Sequence, residues 1–259
     1  MKEKLSIVKI GGNIIEDEVS LNAFLELFSN LKGKKILVHG GGKRATHIAS
    51  KLGIESKMIN GRRITDADTL EVITMVYGGL VNKNVVAKLQ AKNTNAIGLT
   101  GADVNSIKSD KRPVKEIDFG FVGDVKQVAH NAIDKLIQAD FIPVFCAITH
   151  DGNGQLLNTN ADTITSQVAV GMSNLYETSI YYCFELNGVL EDINDKNSVI
   201  KHINTNTYQD LLDKGIIADG MLPKLENCFE ALGGGVNNIN MGNTSMLTQE
   251  NDNFTKITL

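Results

Sequence analysis

Two lysines at opposite ends of the chain suggest phosphoryl-transfer chemistry. Lys9 stands next to last in a predicted strand, residues 5–10, and is followed by Gly11 and Gly12. Lys224 stands in the segment DGMLPK, just inside the start of a predicted helix. Two ammonium groups and a glycine turn can hold a polyphosphate and neutralise charge during transfer. That reaction depends on positioning and cations more than on covalent chemistry from the protein.

Three glycines mark a second candidate anion site. Gly40, Gly41 and Gly42 follow a predicted buried strand, residues 35–38, and precede a predicted helix. Backbone amides at such a junction can bind an anion. The spacing fits neither the GxxxxGK[ST] loop nor the GxGxxG fingerprint. His39, just before the glycines, is predicted to be a hydrogen-bonded junction residue and not a catalytic base.

Two polar segments each allow two interpretations. Arg63, next to Arg62 in NGRRIT, belongs either to a solvated charged turn or to a guanidinium clamp for a carboxylate. Asn158 and Asp162 in NTNAD form either a helix N-cap with an acidic first turn or part of a site. In the second interpretation Asn158 grips substrate and Asp162 orients lysines.

Composition limits the classes of function. The 259 residues can bury a sizeable core, as one large α/β domain or two fused lobes. The formal net charge is −4 and no tract of Lys or Arg occurs, so nucleic acid is not an expected partner. The three cysteines are widely spaced and are predicted to be buried thiols. We find no signal peptide and no apolar run of membrane-spanning length, and expect a soluble cytoplasmic protein.

Alternating strands and helices must position these residues. The apolar patterns predict strands at 5–10, 35–38, 96–99, 142–148, 181–184 and 236–241, and a hairpin near 120–127. They predict helices at 44–52, 66–77, 82–92, 132–139, 160–170 and 208–214, another beginning at DGMLPK, and an early one capped by Ser20. Strand–helix–strand alternation favours parallel pairing. The predicted lobes are residues 1–178 and 179–259, within one continuous sheet.

Taken in order, the segments resemble the amino acid kinase family. The similarity covers nearly the whole chain and is carried by KIGG, VHGGG, NGRRIT, NKNVVAKL, GFVGDV, NTNAD, NGV and DGMLPK. It implies a three-layer α/β/α sandwich with an open, mostly parallel central sheet. It also implies ATP-dependent phosphorylation of the γ-carboxylate of N-acetyl-L-glutamate, or a related N-acylglutamate, in arginine biosynthesis. The first lobe would bind the acylglutamate and dimerise, and the second would bind ATP.

The resemblance also implies roles for individual residues. The implied catalytic residues are Lys9 and Lys224, which stabilise the transferring phosphoryl group, and Asp162, which holds both lysines. The implied substrate-binding residues are Gly40, Gly41, Arg63, which takes the α-carboxylate, and Asn158 beside it. The implied nucleotide-binding residues are Gly11, Gly12, Glu185, Asn187, Gly188, Gly220 and Met221. Mg²⁺ would accompany ATP, held mainly by its phosphates and not by protein ligands.

Some positions depart from the family pattern. Glu185 stands where an Asp is usual, and Phe184 where a Thr or Ser is usual, which puts the adenine or ribose contacts in question. Arg62 replaces a commonly apolar neighbour of Arg63. Family members form homodimers, and arginine-inhibited members carry an extra N-terminal helix. Eight residues precede Lys9 here, so we expect a homodimer without that feedback device.

Other functions stay open at this point. A kinase of the same fold could act on carbamate, UMP, glutamate or aspartate, and an acylglutamate kinase could prefer N-succinylglutamate. A non-catalytic arginine-sensing module is a third possibility, although the lysines expected to be lost in such a module are present. A dinucleotide-binding oxidoreductase is remote because GxGxxG is missing.

Overall fold

The structure is a computed structural model that describes residues 2–59, 62–217, 221–248 and 251–259. Strands and helices alternate along the chain, and most strand pairings are parallel. The prediction of an α/β fold with an open, mostly parallel central sheet flanked by helices is confirmed. Within the described ranges, no helix is long and apolar enough to cross a membrane.

The strands of the described residues are short. They are β1 (Lys4–Ile10), β2 (Lys34–His39), β3 (Met58–Ile59), β4 (Arg62–Arg63), β5 (Ala96–Leu99), β6 (Ile107–Lys111), β7 (Gly123–Val128), β8 (Ile142–Cys146), β9 (Ile148–His150), β10 (Leu156–Asn158), β11 (Glu177–Cys183), β12 (His202–Ile203), β13 (Asn238–Gly242) and β14 (Thr255–Ile257). Of these, β1, β2, β5, β8, β11 and β13 overlap the predicted apolar runs. Strands β3, β4, β6, β10, β12 and β14 were not predicted.

The helices of the described ranges are α1 (Gly12–Glu16), α2 (Glu18–Asn30), α3 (Gly42–Lys51), α4 (Ala67–Ile73), α5 (Asn82–Gln90), α6 (His130–Gln138), α7 (Ala161–Met172), α8 (Thr205–Asp213) and α9 (Met221–Gly233). Most lie at or near predicted positions, but α1 was not predicted and the helix predicted at 66–77 continues from Thr74 as a π-helix. Two short 3₁₀ turns cover Asp103–Asn105 and Thr244–Leu247, and a π-helix covers Thr74–Val81.

The predicted cap of the early helix is wrong by three residues. Helix α2 begins after Asp17, whose carboxylate accepts a hydrogen bond from the Ser20 backbone amide at 2.7 Å. Asp is as good an N-cap as Ser, and here the acidic residue lies one turn earlier. The predicted apolar stripe is correct, since Leu21, Phe24, Leu25 and Phe28 are buried.

The chain divides into two compact units. Unit 1 comprises Met1–Lys35 and Thr165–Leu259, and unit 2 comprises Ile36–Ile164. These differ from predicted lobes at 1–178 and 179–259, because β1 pairs in parallel with β11 along its whole length and so joins residues 165–259. The assignment of acylglutamate and ATP to separate lobes stays a prediction.

In unit 1 the strands lie in the order β12-β14-β13-β11-β1. The pairs β1–β11, β11–β13 and β12–β14 are parallel, and β13–β14 is antiparallel. Lys9 is the register partner of Tyr182. Because register partners on neighbouring strands project to the same face of a sheet, the Lys9 and Tyr182 side chains share one face.

In unit 2 the parallel strands lie in the order β2-β8-β5. A second sheet, in the order β10-β9-β6-β7, was not predicted as such. Strand β7 of this sheet overlaps the C-terminal part of the hairpin predicted near 120–127. The antiparallel partner of β7 is β6, the polar segment IKSDK. Because Ile107 is the only apolar residue of β6, this segment has no alternation of apolar and polar residues that would predict a strand.

The glycine pair Gly78–Gly79 lies within the π-helix that connects α4 to α5. A β-carbon added at Gly78 would lie 3.6 Å from Thr100 and 3.7 Å from Ile148, so this stretch packs closely on its neighbours. π-Helical turns are rare in proteins, and those that occur often lie at functional sites. This one presents Tyr77, which is 5% exposed, to the glycine turn after β2.

Candidate functional site

In unit 1 both predicted lysines lie beside the end of β11. Lys9 is the register partner of Tyr182. The Nζ atom of Lys224, on α9, lies 5.2 Å from the centroid of the Tyr182 ring. Burial raises the pKa of the next residue, the Cys183 thiol, and the charge of Lys9 opposes that shift, so Lys9 is also close to Cys183. The two cations therefore flank consecutive residues of one strand.

The two glycines after β1 have different surroundings. The Gly11 amide donates to the Cys183 carbonyl at 3.0 Å, so this amide is already engaged. A β-carbon at Gly12 would meet nothing within 4 Å. Gly12 is the first residue of α1, where backbone amides have no partner within the helix. Of the two, Gly12 is the better placed to approach a phosphate.

The predicted nucleotide loop is hydrogen-bonded to Asn243, just after β13, and to Thr255, the first residue of β14. The Asn187 carbonyl oxygen Oδ1 accepts from Asn243 Nδ2 at 2.6 Å, and the Val189 amide donates to Thr255 Oγ1 at 2.8 Å. A β-carbon at Gly188 would lie 2.6 Å from Thr255 Oγ1. Asn187 and Gly188 thus have an adequate structural role as well as the implied nucleotide role.

The other predicted nucleotide residues are less constrained. Glu185 is exposed in this loop, and Met221 is the first residue of α9 and half-buried. The prediction for Gly220 falls outside the described residues. The anchors Asn243 and Thr255 were missed by sequence reasoning, because each acts through a contact with a distant loop.

In unit 2 Arg63 is held at the start of α3. It is 7% exposed. Its Nη1 donates to Ser56 Oγ at 2.6 Å, and its Nη2 donates to the Gly42 carbonyl at 3.0 Å and to Thr46 Oγ1 at 2.7 Å. A guanidinium bound on several sides has a fixed orientation, as a clamp for a carboxylate requires. The interpretation as a solvated charged turn does not fit a buried side chain.

Tyr77 also belongs to this group. Burial raises the pKa of its phenol, while the charge of Arg63 and a hydrogen bond to Arg63 act in the opposite direction. Its ring lies against Gly41, where an added β-carbon would be 2.8 Å from Tyr77 Cδ1. Gly41 has φ +154°, which L side chains rarely adopt. Glycine is therefore required at Gly41 both by its backbone conformation and by the Tyr77 ring.

The glycine turn leads directly into α3. Gly40 lies between β2 and Gly41, and α3 begins at Gly42 with no acidic residue in its first turn. First-turn amides have no acceptor inside the helix, and the helix dipole favours an anion there. The predicted substrate residues Gly40, Gly41 and Arg63 are thus close together in unit 2.

His39 is a buried junction residue, as predicted. It is 0% exposed, its Nδ1 donates to the Gly40 carbonyl at 2.7 Å, and its Nε2 accepts from Asn82 Nδ2 at 3.0 Å. Burial lowers the pKa of its imidazole to about 4. Asn82, from the NKNVVAKL segment, also donates to the Val144 carbonyl at 2.9 Å. The neutral imidazole links β2 to its neighbours and is unsuited to act as a base.

Asn158 is joined to Thr65 through the segment of residues 119–121. Its Nδ2 donates to Thr65 Oγ1 at 3.0 Å, and its backbone amide donates to the Phe121 carbonyl at 2.9 Å. A β-carbon at Gly120, whose φ is +71°, would lie 2.1 Å from the Thr65 carbonyl oxygen. Sequence reasoning missed Thr65 and Gly120 as site-forming residues, although GFVGDV was a recognised segment.

Asp162 lies in the first turn of α7 and is half-buried. Its backbone amide donates to Asn160 Oδ1 at 2.7 Å, so the cap function belongs to Asn160. Asp162 lies in unit 2, whereas Lys9 and Lys224 lie in unit 1. Its implied role of holding the two lysines stays a prediction.

Protein ligands for a metal ion are not clustered in the described ranges. Among those residues no group of three or more His, Cys, Asp or Glu side chains could hold one. Mg²⁺ bound through the phosphates of ATP does not need such a group, because it commonly keeps waters and takes few protein ligands. All three cysteines are buried free thiols, as predicted.

Comparison with known proteins identifies relatives over most of the chain. A model described as the amino acid kinase family matches residues 4–241. The chain is 56% identical to an acetylglutamate kinase of Bacteroides fragilis over 239 residues, 92% of each chain. It is 52% identical over 247 residues to an acetylglutamate kinase of Parabacteroides distasonis, covering 95% of this chain and 97% of that one.

A solved structure supports the same fold. N-acetylglutamate synthase from Neisseria gonorrhoeae, complexed with coenzyme A and N-acetyl-glutamate, matches with a TM-score of 0.82 and 18% identity. The match covers 99% of this chain and 59% of that chain. At that identity the likeness concerns the fold alone.

Proposed function

Because this chain belongs to the amino acid kinase family, we propose that it transfers the γ-phosphoryl group of ATP to the γ-carboxylate of N-acetyl-L-glutamate or a close N-acylglutamate. The product is an acyl phosphate, an activated intermediate in arginine biosynthesis. The observation that carries the proposal is the 56% identity to an acetylglutamate kinase over 92% of each chain.

ATP is the co-substrate, and its site is assigned to unit 1. Lys9 and Lys224, which flank Tyr182 and Cys183, supply positive charge for the phosphoryl group. Gly12 at the start of α1 allows close approach of phosphate oxygens, and the loop of Glu185, Asn187 and Gly188, with Met221, contacts the nucleoside. Mg²⁺, when bound with ATP, neutralises phosphate charge.

The acylglutamate site is assigned to unit 2. Arg63, fixed by Ser56, Gly42 and Thr46, binds the α-carboxylate. Asn158 contacts the same end of the substrate, and the amides of Gly40 and Gly41 stabilise the carboxylate that is phosphorylated. Asp162 orients the two lysines.

Catalysis in this proposal is alignment plus charge neutralisation. The attacking γ-carboxylate has an unperturbed pKa of about 4.3 and is ionised at neutral pH. It needs no general base, which agrees with a neutral, buried His39. The main barrier is repulsion between carboxylate and polyphosphate, and preorganised cations and amides reduce it.

The enzyme is further proposed to be a cytoplasmic homodimer. Among the exposed apolar side chains of the described part of unit 2, Met75 (56% exposed) and Leu80 (40% exposed) lie near each other in the chain, in the π-helix. Such residues suit a subunit contact. Sedimentation of the purified protein measures the stoichiometry, and a monomer would contradict this part.

The direct test is an ADP-release assay with N-acetylglutamate as acceptor. Free glutamate, aspartate, carbamate and UMP serve as alternative acceptors, and hydroxylamine traps an acyl phosphate as a hydroxamate. We expect ADP release and hydroxamate formation with N-acetylglutamate. The proposal would be overturned if another acceptor were phosphorylated instead of N-acetylglutamate. It would also be overturned if no acceptor were phosphorylated. Arginine binding without turnover would indicate the sensing module.

A further inference from the structure

In unit 2 two buried polar side chains connect the glycine turn to the elements behind it. His39, the last residue of β2, is 0% exposed, and Asn82, the first residue of α5, is 1% exposed. The His39 Nδ1 atom lies 2.7 Å from the Gly40 carbonyl oxygen, and the His39 Nε2 atom lies 3.0 Å from Asn82 Nδ2. A chain of hydrogen bonds therefore runs from Asn82 through His39 to the backbone of Gly40.

The hydrogen bonds of Asn82 determine which imidazole nitrogen carries the proton. Asn82 Nδ2 has two hydrogens, and it donates one to the Val144 carbonyl at 2.9 Å and one to His39 Nε2. Asn82 Oδ1 accepts from the Lys83 ammonium at 3.3 Å, which fixes the orientation of the amide. Because Nε2 is the acceptor, the neutral ring carries its proton on Nδ1 and donates it to the Gly40 carbonyl.

Strand β5 has a glycine where the Asn82 amide needs space. A β-carbon at Gly98 would lie 1.9 Å from Asn82 Oδ1 and 2.9 Å from Lys83 Nζ. The Gly98 carbonyl also accepts from Lys83 Nζ at 3.0 Å. Any side chain at Gly98 would therefore displace the Asn82 amide, although it would change neither Asn82 nor His39 itself.

The anchored carbonyl sets the direction of the next backbone amide. The peptide bond between Gly40 and Gly41 is trans, so the Gly40 C=O and the Gly41 N–H point in opposite directions. Because His39 holds the carbonyl, the Gly41 N–H points away from the buried imidazole. Across the described ranges, no backbone carbonyl accepts from the Gly41 amide. This amide is thus fixed in direction and available to a ligand.

We propose that His39 and Asn82 are positioning residues, which orient the Gly41 amide toward the carboxylate that is phosphorylated. This inference rests on the proposed function, because it presumes that the Gly41 amide binds the reacting group. A donor that is held in place before the reaction stabilises transition-state charge without reorganising. His39 then acts through a backbone amide, and not as an acid or a base.

The test measures kcat and both KM values of His39 variants of the full-length enzyme with N-acetylglutamate, ATP and Mg²⁺. His39→Leu removes the donor to the Gly40 carbonyl. We expect kcat to fall about 10- to 100-fold while both KM values change less than about threefold, because a misplaced transition-state donor affects turnover more than ground-state binding. His39→Asn can keep an N–H near the place of Nδ1 and should restore most of kcat, whereas His39→Gln should not.

Further variants test the hydrogen bonds behind His39. Asn82→Leu and Gly98→Ala should each lower kcat, and the double variant His39→Leu/Asn82→Leu should lose no more kcat than His39→Leu alone, because both changes act through the same carbonyl. Ile36→Val is the matched control, since Ile36 is a 0% exposed residue of β2 that makes none of these hydrogen bonds. This variant should lower Tm without lowering kcat.

Nitrogen NMR of the imidazole in the wild-type enzyme gives a readout that needs neither turnover nor a variant that folds. At neutral pH the His39 ring should be the neutral tautomer with its proton on Nδ1. The other tautomer, an imidazolium, wild-type kcat in His39→Leu, or equal losses of kcat in His39→Asn and His39→Leu would each overturn the inference while leaving the kinase intact. Failure of the wild-type enzyme to phosphorylate N-acetylglutamate would overturn the proposed function and the inference with it.

Discussion

The Nζ atom of Lys224 lies 5.2 Å from the centroid of the Tyr182 ring, and that ring is only 1% exposed. An ammonium over a buried aromatic face is attracted by its quadrupole, more strongly as water is excluded. Tyr182 is also the register partner of Lys9. Two lysines that are far apart in the sequence therefore both lie next to one buried tyrosine.

The first prediction concerns these two cations. Lys9→Ala and Lys224→Ala should each lower kcat by about 10²–10³-fold, the scale for loss of one preorganised transition-state partner. The stability of each variant should change little, since both side chains are only half-buried.

Steady-state kinetics with saturating ATP and acylglutamate provide the measurement. Lys2→Ala is a matched control in unit 1, because exposed Lys2 donates to the Ser173 carbonyl at 2.7 Å and has no assigned catalytic role. Losses below fivefold in both lysine variants would remove the assigned catalytic role.

The second prediction concerns Tyr77, which we expect to position Arg63. Tyr77→Phe removes the hydroxyl that hydrogen-bonds the guanidinium but keeps the ring against Gly41. KM for the acylglutamate should rise about 2- to 10-fold with kcat nearly constant, as expected for one hydrogen bond and a non-reacting carboxylate. Arg63→Ala should raise KM more. A fall in kcat without a change in KM would contradict this role, and Tyr208→Phe in unit 1 is the control.

The third prediction concerns the glycine turn. Gly41→Ala should lower the free energy of unfolding by about 1–3 kcal/mol, because alanine is strained at φ +154° and its β-carbon would lie 2.8 Å from Tyr77 Cδ1. Chemical denaturation measures the change. Gly79→Ala is the comparison, since an added β-carbon there meets nothing within 4 Å. Equal effects of the two substitutions would show that Gly41 is not specially required.

The fourth prediction concerns pH and His39. Burial lowers the pKa of His39 in the folded state to about 4 from an ordinary value of 6.5. The unfolded chain therefore binds a proton more readily, and His39 contributes stability that is fully present above pH 6.5 and is lost as the pH falls toward 4. The loss over this window should be about 3 kcal/mol.

Denaturant unfolding at several pH values between 4 and 7 checks this prediction. Asp17, Asp66 and Asp151 also have lowered pKa values, but they titrate below their ordinary 3.8 and so outside the window. His39→Asn should flatten the pH dependence. A slope that persists in this variant would assign the effect to another group.

Local patterns predicted much of the fold because secondary structure follows the periodicity of apolar residues. The buried strands β1, β2, β5 and β8, and the apolar face of α2, follow from such patterns. The polar strand β6 does not follow from such a pattern, because its pairing with β7, and not its own side chains, stabilises it as a strand. The cap of α2 was misplaced because Asp17 and Ser20 are both good caps and only the backbone distinguishes them.

The α/β class, the family resemblance, and the residue types that carry charge or allow tight turns were all predicted from local patterns and motifs. Which of these residues meet depends on the tertiary fold. The pairing of β1 with β11, the Tyr182 ring beneath Lys224 and the Tyr77 ring against Gly41 all join residues distant in sequence. Such contacts depend on long-range packing and strand order, and local propensity holds no information about either.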